Sequence, residues 1–218
     1  RDYFYDKTHT RRWMAYAAVD WALTAATRLS FSAAVQDDDT DSPASGLPAW
    51  STGELMKVSR RHNPIADWSR YRWQTRAFTA ELQHEFDNGW QAKAVLSHRP
   101  QDFYFKDGYA TSGVDVTTGT LNYARRVRDY DYGRDGLDLF VTGPLELFGR
   151  RHTLLAGYNR ERFTSTYDGV NAPAVTGIPF GSAHLVPDFD LPYNLGGESE
   201  TEQSGFYGQA RVNVTDRL

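Results

Sequence analysis

Residues 81–97 read ELQHEFDNGWQAKAVLS. Two runs of alternating polarity flank Asp87-Asn88-Gly89, with Phe86 before the turn and Trp90 after it. An Asn-Gly between such runs is a strong hairpin signal. If Phe86 pairs with Trp90 across a three-residue turn, even positions share one face: Phe78, Ala80, Leu82, His84 and Phe86, then Trp90, Ala92, Ala94 and Leu96. Odd positions share the other: Thr79, Glu81, Gln83 and Glu85, then Gln91, Lys93, Val95 and Ser97. One face is apolar except for His84. The other is polar, with Gln83 opposite Lys93 as a favourable cross-strand pair.

The arrangement recurs along the chain, whereas helical periodicity is poor. Seven strands are predicted: Thr10–Leu23, Arg28–Gln36, Tyr71–Phe86, Trp90–Phe103, Asp129–Leu147, His152–Thr164 and Ser204–Val214. In the last, Phe206, Gly208, Ala210, Val212 and Val214 alternate with Tyr207, Gln209, Arg211 and Asn213. Short turns fall near 25, 88 and 149, with another at Thr215-Asp216-Arg217, a repeat of roughly 60 residues per hairpin. Between them lie three stretches read as irregular, 37–70, 104–128 and 165–203. Loops beyond about 12–15 residues are uncommon in compact soluble domains. Short turns at one end and long loops at the other are the pattern of a membrane β-barrel. A soluble sandwich with one buried and one wet face would show the same parity, so alternation by itself leaves that alternative open.

Bulk properties narrow the classes. The net charge of −4 and a pI near 5.9 give no general electrostatic support to a nucleic-acid partner. No cysteine is present, which excludes disulfides, iron–sulfur ligation and thiolate zinc sites. Aromatic residues make up 14% of the chain, which suits a sheet with aromatic belts or a carbohydrate-type binding face. No apolar run is long enough for a transmembrane helix. The mean hydropathy of −0.62 does not exclude a barrel, in which only alternate residues face lipid. The chain opens on Arg1-Asp2-Tyr3-Phe4 without an initiator Met or signal peptide, so a piece of something longer is expected.

Motifs with catalytic or metal chemistry are not readable. The acidic run Asp37, Asp38, Asp39, Asp41 fails as an EF-hand loop, since Ser42 and Pro48 stand where Gly and Glu are required. The six histidines are scattered, and no phosphate loop, nucleophile elbow or protease motif appears. The strand–loop borders are richer. Trp68-Ser69-Arg70-Tyr71-Arg72-Trp73 leads into the third strand, and the polar parity turns Tyr71 and Trp73 toward the polar face. The same parity collects Arg126, Arg128, Tyr130 and Tyr132 on the fifth strand and Arg99 and Phe103 on the fourth. With Trp68 they form the candidate site, suited to a bulky, partly anionic, partly apolar ligand. Interface-belt aromatics and anchoring arginines would look alike at the level of single residues.

Several pieces together resemble the barrel of TonB-dependent ferric-siderophore receptors of the hydroxamate and pyoverdine type. They are Asp20-Trp21-Ala22-Leu23, Gly46-Leu47-Pro48, Asn63-Pro64, Asp67-Trp68-Ser69 and the stretch Glu81 to Trp90. Asp138-Leu139 with Thr142-Gly143-Pro144, Phe148-Gly149-Arg150-Arg151-His152 and Tyr207-Gly208-Gln209-Ala210-Arg211 continue the series. The resemblance implies an all-β fold: an antiparallel transmembrane β-barrel segment of about seven strands from a barrel of ~22. It implies that residues 1–218 are part of one barrel domain, with the plug, the TonB-box segment and the closing C-terminal strand outside it. It further implies a receptor and not an enzyme, set in outer-membrane lipid of a Gram-negative bacterium. The receptor would bind a ferric siderophore at the extracellular loops and barrel mouth and engage TonB through the plug or N-terminal segment. Iron arrives already chelated, so no cofactor and no protein iron ligands are expected. A soluble, aromatic-rich, carbohydrate-binding β-sandwich is the alternative from another class. A barrel enzyme is disfavoured for want of a nucleophile–base set.

Overall fold

The computed structural model describes residues 4–43, 46 and 48–214; the predicted turn at Thr215-Asp216-Arg217 and Leu47 lie outside the described residues. The strands are β1 (His9–Ala22), β2 (Thr27–Asp41), β3 (Arg70–Glu85), β4 (Gln91–His98), β5 (Gln101–Ala110), β6 (Thr120–Leu147), β7 (Arg150–Pro179) and β8 (Leu195–Arg211). All neighbours are antiparallel within one sheet, from β1 at one edge to β8 at the other. Among the described residues no second sheet packs against it, so the sandwich alternative gives way to a single curved wall.

β4 and β5 both lie between β3 and β6 and keep one register, so they form a single stave. The interruption is at Arg99-Pro100, where proline has no N–H to give to the ladder. Pro100 still accepts a bond from the Arg76 N–H at 3.0 Å. Seven staves therefore stand where seven strands are predicted, with the fourth broken by proline and continued to Ala110.

The opening hairpin has the predicted register, Phe78 opposite His98 through Glu85 opposite Gln91. Gly89 takes φ +80° and donates its N–H to the Phe86 carbonyl at 2.9 Å, while Asn88 Oδ1 accepts the Trp90 N–H at 3.1 Å. A left-handed residue at this position closes a three-residue hairpin loop. Lys93 lies opposite Gln83 and also reaches Glu81 at 2.6 Å. His84, the one polar residue on the apolar face, pairs with the Thr27 hydroxyl at 2.8 Å and meets Phe86 edge-on at 4.5 Å.

Within the stretches read as irregular, the described residues 42–43, 46, 48–69, 111–119 and 180–194 lie outside the strands, but much of the second and third is strand, at 104–110, 120–128, 165–179 and 195–203, and the first contributes 37–41. Their alternation is invisible as hydrophobicity because both faces there are polar or aromatic. Cross-strand ion pairs hold the ladder instead. Arg70 grips Asp39 at 2.5 and 2.7 Å, Arg72 meets Asp37 at 3.1 Å, and Arg162 meets Glu200 at 2.8 and 2.9 Å.

One face carries an apolar band that begins at Trp13 on β1, Val35 on β2, Phe78 on β3, Leu96 on β4, Leu137 on β6, Tyr158 on β7 and Phe206 on β8. This border does not follow the hydrogen-bonded ladder. The row pairing Val35 with Arg76 continues through Gly133 and Thr164 to Glu200, six residues above Phe206. A drop of about six residues over five strand steps, at ~3.3 Å per residue and ~4.8 Å between strands, corresponds to a tilt of about 40°. Closed barrels require a tilt of about 35–45°. The border is level only if the strands lean as barrel staves do.

The buried core lies above this band. Segments 48–69 and 180–194 fold over the band-side face of β5–β7, burying Ala66, Leu121, Tyr123, Ile178, Ala183 and Val186. Asn63-Pro64 is the latch: Asn63 Nδ2 donates to the Ser42 carbonyl at 2.9 Å and to the Thr8 hydroxyl at 3.1 Å. The Tyr123 hydroxyl donates to the Pro64 carbonyl at 2.7 Å.

Candidate functional site

On the opposite, polar face above the band, four rings stand directly across from one another: Trp73, Phe103, Tyr130 and Tyr167. β3, β5, β6 and β7 each contribute one, because parity places all four on one face and the register places them on one row. Centroid distances are 4.5 Å for Trp73–Phe103, 6.2 Å for Phe103–Tyr130 and 5.4 Å for Tyr130–Tyr167. The row ends at Gly197, and a Cβ there would come within 2.7 Å of the Tyr167 ring. Glycine thus lets Tyr167 lie flat against the wall.

Tyr71 and Phe105 form the row above, 5.5 Å apart. Tyr132 stands one row below, stacked 5.5 Å from Tyr130 and 6.0 Å from Phe163. The result is a continuous aromatic wall. Such pairs contribute about 0.5–1.5 kcal/mol each beyond their buried area.

The upper end of the wall is polar and tightly held. Asp107 is 1% exposed and accepts the Tyr71 hydroxyl at 2.7 Å and Arg126 Nε at 3.0 Å. Arg126 lies over the Phe105 ring at 4.9 Å and the Tyr109 ring at 4.5 Å. Burial, with Asp107 beside it, pushes the Tyr71 phenol well above its ordinary value. Burial opposes the Arg126 charge, but the Asp107 carboxylate outweighs it and raises that pKa. Among the described residues no three His, Asp or Glu side chains gather to hold a metal ion. What the wall offers is ring faces, phenols and guanidinium groups.

Of the residues singled out in the sequence, the structure brings Tyr71, Trp73, Phe103, Tyr130 and Tyr132 into the wall and Arg126 onto its upper end. Arg128 shares the face but lies across Gly169, donating to the Val127 and Val170 carbonyls at 2.7 and 3.1 Å and to Asn171 Oδ1 at 2.8 Å. Arg99 is exposed at the Pro100 break. Trp68 stands apart. It packs on Gly108 and lies 5.6 Å from the Lys106 ammonium, and both of those residues alternate with the inward-facing Phe105 and Asp107. Trp68 therefore covers the other side of the sheet, with Nε1 donating to the Val186 carbonyl at 2.9 Å. Sequence reasoning missed Phe105, Asp107, Phe163 and Tyr167. Phe163 lies on the polar parity of a predicted strand, and extending the parity of Phe103 and of Phe163 into the stretches read as loops reaches Phe105, Asp107 and Tyr167.

The profile described as "TonB dependent receptor-like, beta-barrel" matches residues 37–218. The ferric-pyoverdine M114 receptor of Pseudomonas sp. (strain M114) is 30% identical over 234 residues, spanning 100% of this chain and 28% of that receptor. The ferripyoverdine receptor of Pseudomonas aeruginosa is 27% identical over 231 residues, spanning 99% of this chain and 27% of that one. A solved structure of P. aeruginosa FpvA bound to heterologous pyoverdines superposes with a TM-score of 0.88 at 25% identity, over 98% of this chain and 29% of that one. The chain thus spans less than a third of each of these relatives.

Proposed function

The chain belongs to the TonB-dependent receptor β-barrel family, and from that premise we propose that it forms part of the wall of an outer-membrane receptor for a ferric siderophore. The apolar band faces lipid, the short turns face the periplasm, and the strand tops with their packed loops stand outside the cell. The protein that carries this wall takes up the chelate in a TonB-driven step and works as a receptor, not as a catalyst. The relatives named for ferric pyoverdine support a siderophore as the cargo.

The aromatic wall is the observation that carries this reading. A flat row of rings on the lumen side of a tilted barrel, with Arg126 at its upper lip, presents apolar faces and one cation to a ligand entering from outside. Trp73, Phe103, Tyr130 and Tyr132 contact the chelate in this reading, with Tyr71 and Arg126 at its edge. Arg128 and Trp68 hold the scaffold.

The test is a pair of substitutions in the full-length receptor. Trp73→Ala weakens binding of ferripyoverdine by about 1–2 kcal/mol, roughly 5–30-fold, as a buried aromatic contact would. Trp68→Phe leaves affinity unchanged. Tryptophan-fluorescence titration reads both; equal effects of the two, or none from Trp73→Ala, contradict the assignment.

A further inference from the structure

The arginines that line the lumen face beside the aromatic wall differ in what their guanidinium groups have left to give. Above the wall, Arg126 is matched by the buried Asp107 carboxylate, and Arg128 donates to two backbone carbonyls and to Asn171. Below it stand Arg99 and Arg134. Each donates its backbone N–H to the other's carbonyl, at 2.9 and 3.3 Å, so the two residues face each other directly across the ladder. The Cα atoms of such a pair lie about 5.5 Å apart, with both side chains on one face. Arg134 keeps the parity of Tyr130 and Tyr132 and lies opposite Phe163, which sets both guanidinium groups in the lumen at the foot of the wall.

Like charges placed directly opposite one another destabilise a strand pair. Little in the chain offsets this pair. Glu161 lies 3.7 Å from Arg134 Nη1 with both side chains well exposed, a contact of small energy. Arg99 is exposed and makes no ion pair among the described residues. The Arg134 guanidinium rests 5.4 Å from the centre of the Phe163 ring, which steers it without neutralising it. Arg99 precedes Pro100, and a residue before proline is confined to extended backbone, so the pair is held in place. Beneath it the wall hollows. A cavity of about 630 Å³ opens over Ser97, Gly136, Asn159 and Gln203, and a Cβ on Gly136 would come within 2.6 Å of Ser97 Oγ.

We infer that Arg99 and Arg134 form an anion clamp in the ligand site, closing on a free carboxylate of the chelate. This rests on the siderophore-receptor reading and adds a class of cargo: a ferric chelate with a carboxylate arm separate from its iron-binding groups. The ring row and the arginine pair are four residues apart on both strands, Phe103 to Arg99 and Tyr130 to Arg134. That is about 13 Å along the strand, within reach of an arm hanging from a chelate that lies on the rings. Two guanidinium forks take both oxygens of one carboxylate, and the anion removes the repulsion between them. The upper arginines cannot do the same, because their donors are already committed.

The experiment titrates the full-length receptor with ferripyoverdine, and with the same chelate after its free carboxyl groups are converted to amides, following tryptophan fluorescence. Arg99→Gln and Arg134→Gln each weaken ferripyoverdine binding about tenfold, as the loss of a charge-assisted bond does. The amidated chelate binds the wild type about tenfold more weakly. The substitutions then change its affinity by less than about twofold, because the group they served is gone. Taking away one of two facing charges relieves repulsion, so both variants keep a folded, heat-modifiable barrel. Undiminished ferripyoverdine affinity in either variant overturns the clamp. Equal losses for the two chelates also overturn it, since the arginines then serve the scaffold. A wild type that binds neither chelate contradicts the receptor reading, and the clamp with it.

Discussion

The carboxyl of Asp107 touches three staves at once: it belongs to β5, accepts the hydroxyl of Tyr71 on β3 and holds the guanidinium of Arg126 on β6. Removing it leaves a phenol and a half-buried charge without their partner. Breaking a fully buried pair costs about 3–5 kcal/mol, and the partial exposure of Arg126 scales this down to about 2 kcal/mol for Asp107→Ala. A lower urea midpoint at unchanged slope checks this in the detergent-solubilised receptor; an unchanged midpoint contradicts it. Asp107 was not legible in the sequence. It falls in a stretch where no apolar alternation marks a strand, and its role depends on Tyr71 and Arg126, distant in the chain and opposite only in the folded sheet.

At the scale of the strand, the band and the upper staves are held by different forces. Within the band the alternation of Ala80, Leu82, Ala92 and Ala94 against Glu81, Gln83, Gln91 and Lys93 announces both strand and register, and the structure agrees with it pair by pair. Above the band that signal disappears, and ion pairs and ring rows take over. For this reason 37–41, 104–110, 120–128, 165–179 and 195–203 read as loop in sequence and fold as strand. The upper ends of β2 and β3 carry a pH signature. The hydrogen bond from Gln74, aided by Arg72, holds Asp37 below the ordinary carboxylate range, and Arg70 does the same for Asp39. Their stabilisation is fully present above the ordinary carboxylate pKa and is lost as pH falls through the lowered folded values. Amide protection at 37–41 and 70–74 is therefore expected to hold down to about pH 4 and to fall below it, while 29–33 and 78–83 keep theirs. Hydrogen exchange resolves the two regions, and uniform behaviour along both strands would contradict the division.

Across the whole molecule, the slanted border of the apolar band is the feature that joins sequence to architecture. Parity gives two faces, yet a flat sheet would carry its band along the ladder; the drift of the border from Val35 to Phe206 requires tilted staves. Fold class and the band-side register could be read from single strands. The aromatic wall needed the register of four strands at once, since Trp73, Phe103, Tyr130 and Tyr167 are neighbours only across the ladder. Trp68 shows the limit of proximity in sequence: five residues before Trp73, it ends on the opposite side of the sheet because the chain turns into β3 between them. The most direct measurement is spin-label accessibility in the full-length receptor embedded in lipid, with labels placed singly at 80, 81, 82 and 83. Labels at 80 and 82 should collide with oxygen dissolved in the bilayer and be shielded from a water-soluble nickel chelate, while those at 81 and 83 show no such preference. The reverse pattern, or four labels alike, would contradict a membrane wall with this register.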